Sequence, residues 1–442
     1  MTKVQSQPVV VEDRLRVGHA VGAHGHLTIA DCDVVDLASQ YGTPLYVYDE
    51  ALLRRQIQSF HRALRQAAMP YCLIYATKAF CTVAMCHLAL AEGCHLDVVS
   101  GGELMTALAA LAPPEAIHFH GNNKTEAELE LALEHRIGAI IVDNMDEIER
   151  LNRLAKARGQ VVRILLRVAP GVEAHTHEYI STGQQDSKFG FDWESGQADA
   201  AVAAVAACDA LELRGVHGHI GSQIFDASGF HIAVARLARV YAHAFRLGLP
   251  VDTLNLGGGF GVRYTDEDTP LPLETLIDGV TTAVRREFAL HDLPLPTLEM
   301  EPGRSIVADA GTTLYRVGAR KRVNGVRNFV AIDGGMTDNP RFALYGAKYE
   351  VMLANRANEL GTEQWSVAGK CCESGDMIAK DVWLPEPQVG DILAVFTTGA
   401  YNYSMASHYN RIPKPAVVFV QGGQSRLVVA RETWQDLLRM DC

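Results

Sequence analysis

The chain has 442 residues, 48% of them hydrophobic and 21% charged, which is the balance of a soluble globular protein with a large core and length for two or three domains. A net charge of −12, from 40 basic and 52 acidic residues, argues against a nucleic-acid or anionic-membrane partner. No apolar run is long enough for a bilayer and residues 1–8 lack the apolar stretch of a secretory signal; the cysteines form no Cys-x-x-Cys pair, so a cytoplasmic protein is expected, with no support for a cysteine zinc site or a thioredoxin motif.

In chain order, residues 1–45 carry short strand-like pieces expected to pack on a β-rich region later in the chain. Eight apolar runs follow, at about 71–76, 95–99, 116–120, 138–142, 162–168, 213–219, 251–256 and 297–301, with helical patterns between them. Three of those helices open with a side-chain cap followed three residues later by Glu: Ser100 with Glu103, Thr125 with Glu128, and Asn144 with Glu147. Strand, short loop, capped helix and next strand is the pattern of βαβ units on a parallel sheet. Eight such units over residues 46–310 have the size of a (β/α)8 TIM-type barrel, with a doubly wound open sheet as the competing arrangement. Beyond residue 310 the segments 312–317, 328–332, 391–396, 416–420 and 426–430 are short, rich in strand formers and separated by Gly and Pro, so residues 311–442 read as a β-rich domain.

In a parallel barrel, chemistry collects at the C-terminal ends of the strands. Those ends carry Lys78, Asp97, His120 with Asn122, Asp143, Arg167, His219, the run Gly257-Gly258-Gly259, and Glu301. A desolvated lysine amine in such a place can condense with an aldehyde cofactor. The glycine run lets backbone N–H groups approach a phosphate, or it is an ordinary tight turn. Glu301 can act as a base, a metal ligand or the partner of a protonated ring nitrogen, and Arg304 can grip a carboxylate or phosphate as a fork. Alternation puts His217 and His219 on one face, which leaves a metal pair open beside an imidazole stacked on a ring. His175 and His177 read as solvated loop residues.

Together these residues resemble the fold-type III pyridoxal-phosphate decarboxylases, the family acting on basic amino acids, over about residues 40–435. Tyr75-Ala76-Thr77-Lys78-Ala79 is similar to the cofactor-lysine motif. His219-Ile220-Gly221-Ser222-Gln223, residues 257–261 and Glu301-Pro302-Gly303-Arg304 are similar to the ring-stacking, phosphate and ring-nitrogen motifs. In the later domain, residues 333–341 with 343–347, then 372–376 and 399–401, are similar to the family's substrate and catalytic segments. Phe80, Phe342 and the pair Lys370-Cys371 depart from the family's common residues without removing a functional group.

The resemblance implies that Lys78 holds pyridoxal 5'-phosphate, Glu301 keeps its ring nitrogen protonated, and His219 lies on the ring face. It implies that Ser222, Gly258, Gly259, Gly303, Arg304 and Tyr401 hold the phosphate. Cys372 would be the proton donor, with Lys78 second, and would serve the neighbouring subunit of a homodimer with shared sites. Arg304, Arg341, Tyr345 and Tyr401 would receive a distal carboxylate and Glu373 a distal ammonium. A substrate with both groups at its far end is meso-2,6-diaminopimelate, which gives L-lysine. Ornithine, lysine and arginine offer a cation where two arginines would repel it. A racemase and a non-catalytic cofactor-binding protein on the same barrel are the other readings.

Overall fold

The computed structural model describes residues 15–172 and 187–442; His175, His177 and residues 1–8 lie outside them. Two compact units emerge. One holds the described residues up to Arg55 with Arg263–Asp268 and Ile306–Cys442, and the other holds Gln56–Val262 and Thr269–Ser305.

The second unit is a closed barrel of eight parallel strands. These are β1 (Tyr71–Ala76), β2 (His95–Val98), β3 (Ile117–Phe119), β4 (Ala139–Val142), β5 (Val162–Ala169), β6 (Leu211–Gly218), β7 (Thr253–Asn255) and β8 (Thr297–Met300). Neighbours pair in chain order, and β8 pairs with β1, which closes the ring and rules out the open sheet. Each expected run becomes a strand because it is buried along most of its length: β4, Ala-Ile-Ile-Val, is buried throughout. The helices between strands bury one stripe. In Met145–Ala157, Ile148, Leu151, Leu154 and Ala155 face inward at helical spacing.

The three capped helices form where expected, with a variation. Thr125 and Glu128 make the reciprocal box. Ser100 and Asn144 accept from the N–H groups of Glu103 and Glu147, but those glutamates reach one residue further back, to Val99 N–H (2.8 Å) and Asp143 N–H (3.1 Å).

The other unit is built on one long strand, Gly311–Val323. Its buried first half pairs antiparallel with Leu45–Asp49 and Ile392–Val395, and its exposed second half with Arg327–Ile332. Ala416–Gln421 runs parallel to Leu45–Asp49 and turns back through Gly422-Gly423, both at positive φ, into Gln424–Val429. The expected boundary at residue 46 thus falls inside a strand of this sheet. Leu27, Val34 and Leu37 share a core with Leu45, Leu314, Met352, Ile392 and Val418.

Candidate active site

Lys78 lies in a one-turn helix, Thr77–Ala79, that ends β1. The turn is tied down on both sides: Thr77 Oγ1 donates to Asp97 O (2.7 Å) and Tyr75 Oη to Phe80 O (2.9 Å). Thr77 and Ala79 are buried while Lys78 is exposed, unlike the desolvated lysine expected at the strand end. Its charge acts on Asp97, His217 and His219, which places it among the other strand-end groups.

Glu301 is the centre of a buried cluster. His217 Nε2 bonds its Oε2 at 3.2 Å, Asn255 Nδ2 donates to its Oε1 at 2.7 Å, and His120 Nε2 lies 2.9 Å from Oε1 without the alignment of a hydrogen bond. Burial pushes the Glu301 carboxyl up, but the two imidazoles outweigh it and hold the group well below the usual carboxylate range, so it is an anion. Asp97, 3.9 Å from His120, goes the other way: burial raises it to about 6 against the pull of the imidazole. His217 and His219 take different partners. His219 is half-buried, its Nδ1 accepts Gly258 N–H at 3.3 Å, and burial followed by the Lys78 and Arg167 charges pushes it well below the usual histidine value. It is therefore a neutral imidazole. Arg167 lies 3.8 Å from Asp143 and stacks on Phe189, and Asn122 O accepts from Asn144 Nδ2.

The glycine run packs against the ends of its neighbours. A Cβ at Gly258 would lie 2.2 Å from Glu301 O, and one at Gly259 (φ +96°) would lie 2.4 Å from Gly221 O, so only glycine allows this approach. Arg304 is buried and donates to Ser222 Oγ at 2.9 Å, which joins an arginine fork and a hydroxyl beside the run. These groups match pyridoxal phosphate part by part: an accessible amine for the aldehyde, an ionised carboxylate for a ring N–H, a neutral imidazole for the ring, and glycines with Arg304 and Ser222 for the phosphate. Asp97 Oδ1, Asp143 Oδ1 and His120 Nε2 are buried and lack hydrogen-bond partners among the described residues, as suits a mouth built for a polar ligand.

The other unit carries the remaining expected residues. Arg341 is buried, its Nη1 donates to Tyr264 Oη (2.9 Å) and Tyr349 Oη (3.0 Å), and its guanidinium stacks on both rings. Among the described residues no carboxylate pairs with it. Tyr345, Cys372 and Glu373 are exposed, and Cys372 N–H is held by Asn410 Oδ1 at 2.8 Å. Tyr401 is half-buried at φ +62°, a left-handed conformation that costs a bulky residue roughly 1–3 kcal/mol and marks a place held for use. Phe342 and Ser374 help line a cavity of about 330 Å³ with Lys380 and Arg327. Sequence reading missed Asn255, Tyr264 and Tyr349. Asn255 was detectable as a polar residue inside an apolar strand, whereas nothing local links Tyr264 to Arg341.

The family profile for the pyridoxal binding domain of pyridoxal-dependent decarboxylases matches residues 51–308. A diaminopimelate decarboxylase from Bacillus subtilis is 54% identical over 419 residues, covering 95% of each chain. The crystal structure of diaminopimelate decarboxylase from M. jannaschii in complex with L-lysine superposes with a TM-score of 0.88 at 33% identity, over 98% of this chain and 99% of that one. The Helicobacter pylori enzyme with L-lysine gives 0.85 at 32% identity, over 92% and 99%. By these matches the chain belongs to the diaminopimelate decarboxylases, within the pyridoxal-dependent decarboxylase family.

Proposed function

We propose that this enzyme decarboxylates meso-2,6-diaminopimelate to L-lysine and CO2, using pyridoxal phosphate at the barrel mouth. Bound there, the cofactor supplies an electron sink for the Cα–carboxylate bond of the substrate. Lys78 would hold the aldehyde end through its amine. Glu301, kept anionic by His120 and His217, would hold a proton on the ring nitrogen. Neutral His219 would lie against the ring without adding a competing charge. Ser222, Arg304, Tyr401 and the N–H groups of Gly258, Gly259 and Gly303 would bind the phosphate; Gly258 must exchange its bond to His219 to do so. As CO2 leaves, a proton from Cys372 Sγ, with Lys78 Nζ as the alternative donor, would replace it on the carbon. Cys372 would act in the partner's site of a homodimer, and the absence of any disulfide among the nine cysteines suits a reducing cytoplasm.

The observation that carries the substrate choice is Arg341. A buried guanidinium oriented by two phenols and, among the described residues, lacking a carboxylate partner favours an anion delivered by the substrate. The distal carboxylate of diaminopimelate is such an anion, while the cationic tails of ornithine and lysine are not. Arg304 and Tyr345 would assist it and Glu373 would receive the distal ammonium. The test is CO2 release from diaminopimelate, ornithine, lysine and arginine with added cofactor. Release from diaminopimelate alone is expected, and Arg341→Ala should raise KM for it about a hundredfold, the loss of one charged contact. Equal turnover of ornithine, or racemisation without CO2, would sink the reading.

A further inference from the structure

Asn255, the last residue of β7, is fully buried, and its side-chain amide hydrogen-bonds three groups at the mouth of the barrel. Its Nδ2 donates to Glu301 Oε1 at 2.7 Å and to Glu299 Oε2 at 2.9 Å, and its Oδ1 accepts Gly257 N–H at 2.8 Å. The orientation of the amide follows from these partners. Turned over, it would set an oxygen against the Glu301 anion and an NH2 against an N–H. Gly257 (φ +65°) opens the glycine run, and its own carbonyl accepts Glu301 N–H at 2.8 Å. One amide thus touches both Glu301, which would pair with the ring nitrogen, and the first turn of the glycine run, which would bind the phosphate.

We propose that Asn255 is a positioning residue that aims the Glu301 carboxylate and fixes the Gly257 turn, so that the ring-nitrogen and phosphate ends of the cofactor site are held in one register. The proposal rests on the cofactor assignment made above. An amide is required because the position needs two donors and one acceptor. Aspartate keeps the acceptor for Gly257 but loses both donations and sets its charge against the Glu301 anion. Alanine removes all three bonds and adds no charge.

The experiment follows full-length protein reconstituted with pyridoxal phosphate, reading cofactor affinity and the pH midpoint of the bound group's visible absorption band. Wild-type protein that takes up no pyridoxal phosphate overturns the cofactor assignment itself. Given uptake, Asn255→Asp should bind the cofactor about tenfold to a hundredfold more weakly, with the band's midpoint moved to higher pH as Glu301 becomes harder to ionise. Asn255→Ala should lose affinity with a smaller midpoint shift. A general packing defect would weaken binding in both variants without the larger midpoint shift of Asn255→Asp. Wild-type affinity and midpoint in Asn255→Asp and Asn255→Ala overturn the proposal, as does a midpoint that Asn255→Asp shifts no further than Asn255→Ala.

Discussion

Glu299 and Glu301 lie two residues apart, on the same face of one strand and its end, and behave oppositely. Glu301 has two imidazoles and an amide, whereas Glu299 has the Asn255 amide at 2.9 Å and His118 at 4.0 Å. Burial, then the charge of Glu301, pushes Glu299 up to about 8 from 4.5, while burial pushes His118 down to about 3, so both are neutral near pH 7. The folded state therefore holds a proton on Glu299 that the unfolded chain has released, and the stability this contributes is present in full below pH 4.5 and lost as pH rises through 8. Glu299→Gln removes the titration. Denaturant unfolding at several pH values should show the variant gaining on the wild type between pH 4.5 and 8, by up to about 1.4 kcal/mol per pH unit. A difference that stays constant with pH would mean that Glu299 does not change its proton on folding. Glu301 was legible in the sequence because it ends an apolar run. Glu299 and Asn255 are passed over when only the ends of the apolar runs 251–256 and 297–301 are considered, since both lie within those runs, although the spacing of Glu299 and Glu301 already puts both on one face.

At the scale of elements, helix entry ties consecutive βα units together. Glu128 caps its own helix by accepting Thr125 N–H (2.9 Å) with Oε2, and its Oε1 accepts Gly101 N–H (2.8 Å) at the start of Gly101–Ala109. Burial raises its carboxyl, but these two N–H groups outweigh it and lower it, so the contribution is lost as pH falls through the folded value. Glu128→Ala strips an acceptor from two helix starts and should cost about 1–3 kcal/mol in denaturant unfolding, with Glu128→Gln recovering part of it. A loss no larger than an ordinary surface substitution would leave Glu128 with only a passive role. The capping pattern itself was readable from residue spacing; its reach to a second helix was not, since that depends on how adjacent units pack. The barrel strands were equally readable, being apolar and continuous. Glu363–Ala368 and Met377–Leu384 escaped notice because they are partly exposed and irregular, with Asp381 at φ +54° and register shifts that break the alternation.

At the scale of the whole molecule, the expected catalytic groups divide between the two units, Lys78 in the barrel and Cys372 in the β-rich unit. Cys372 and the residues through Gly375 are exposed, as are Leu344 and Tyr345, and in the proposed homodimer they would complete a site on the second copy of the chain. Lys78→Ala and Cys372→Ala chains carrying different tags, co-expressed and purified as the mixed dimer, separate the two possibilities. If each site takes its lysine from one subunit and its cysteine from the other, one site of the mixed dimer loses both groups and the other keeps both, so diaminopimelate turnover should reach about half the wild-type value per dimer. If each site is built from a single chain, every site in the mixed dimer lacks one group and turnover stays at the level of the parent variants. Recovery to about half, with one cofactor bound through a lysine per mixed dimer, would establish the dimer as the catalytic unit; turnover no higher than the parents would place Cys372 and Lys78 in the same chain's site.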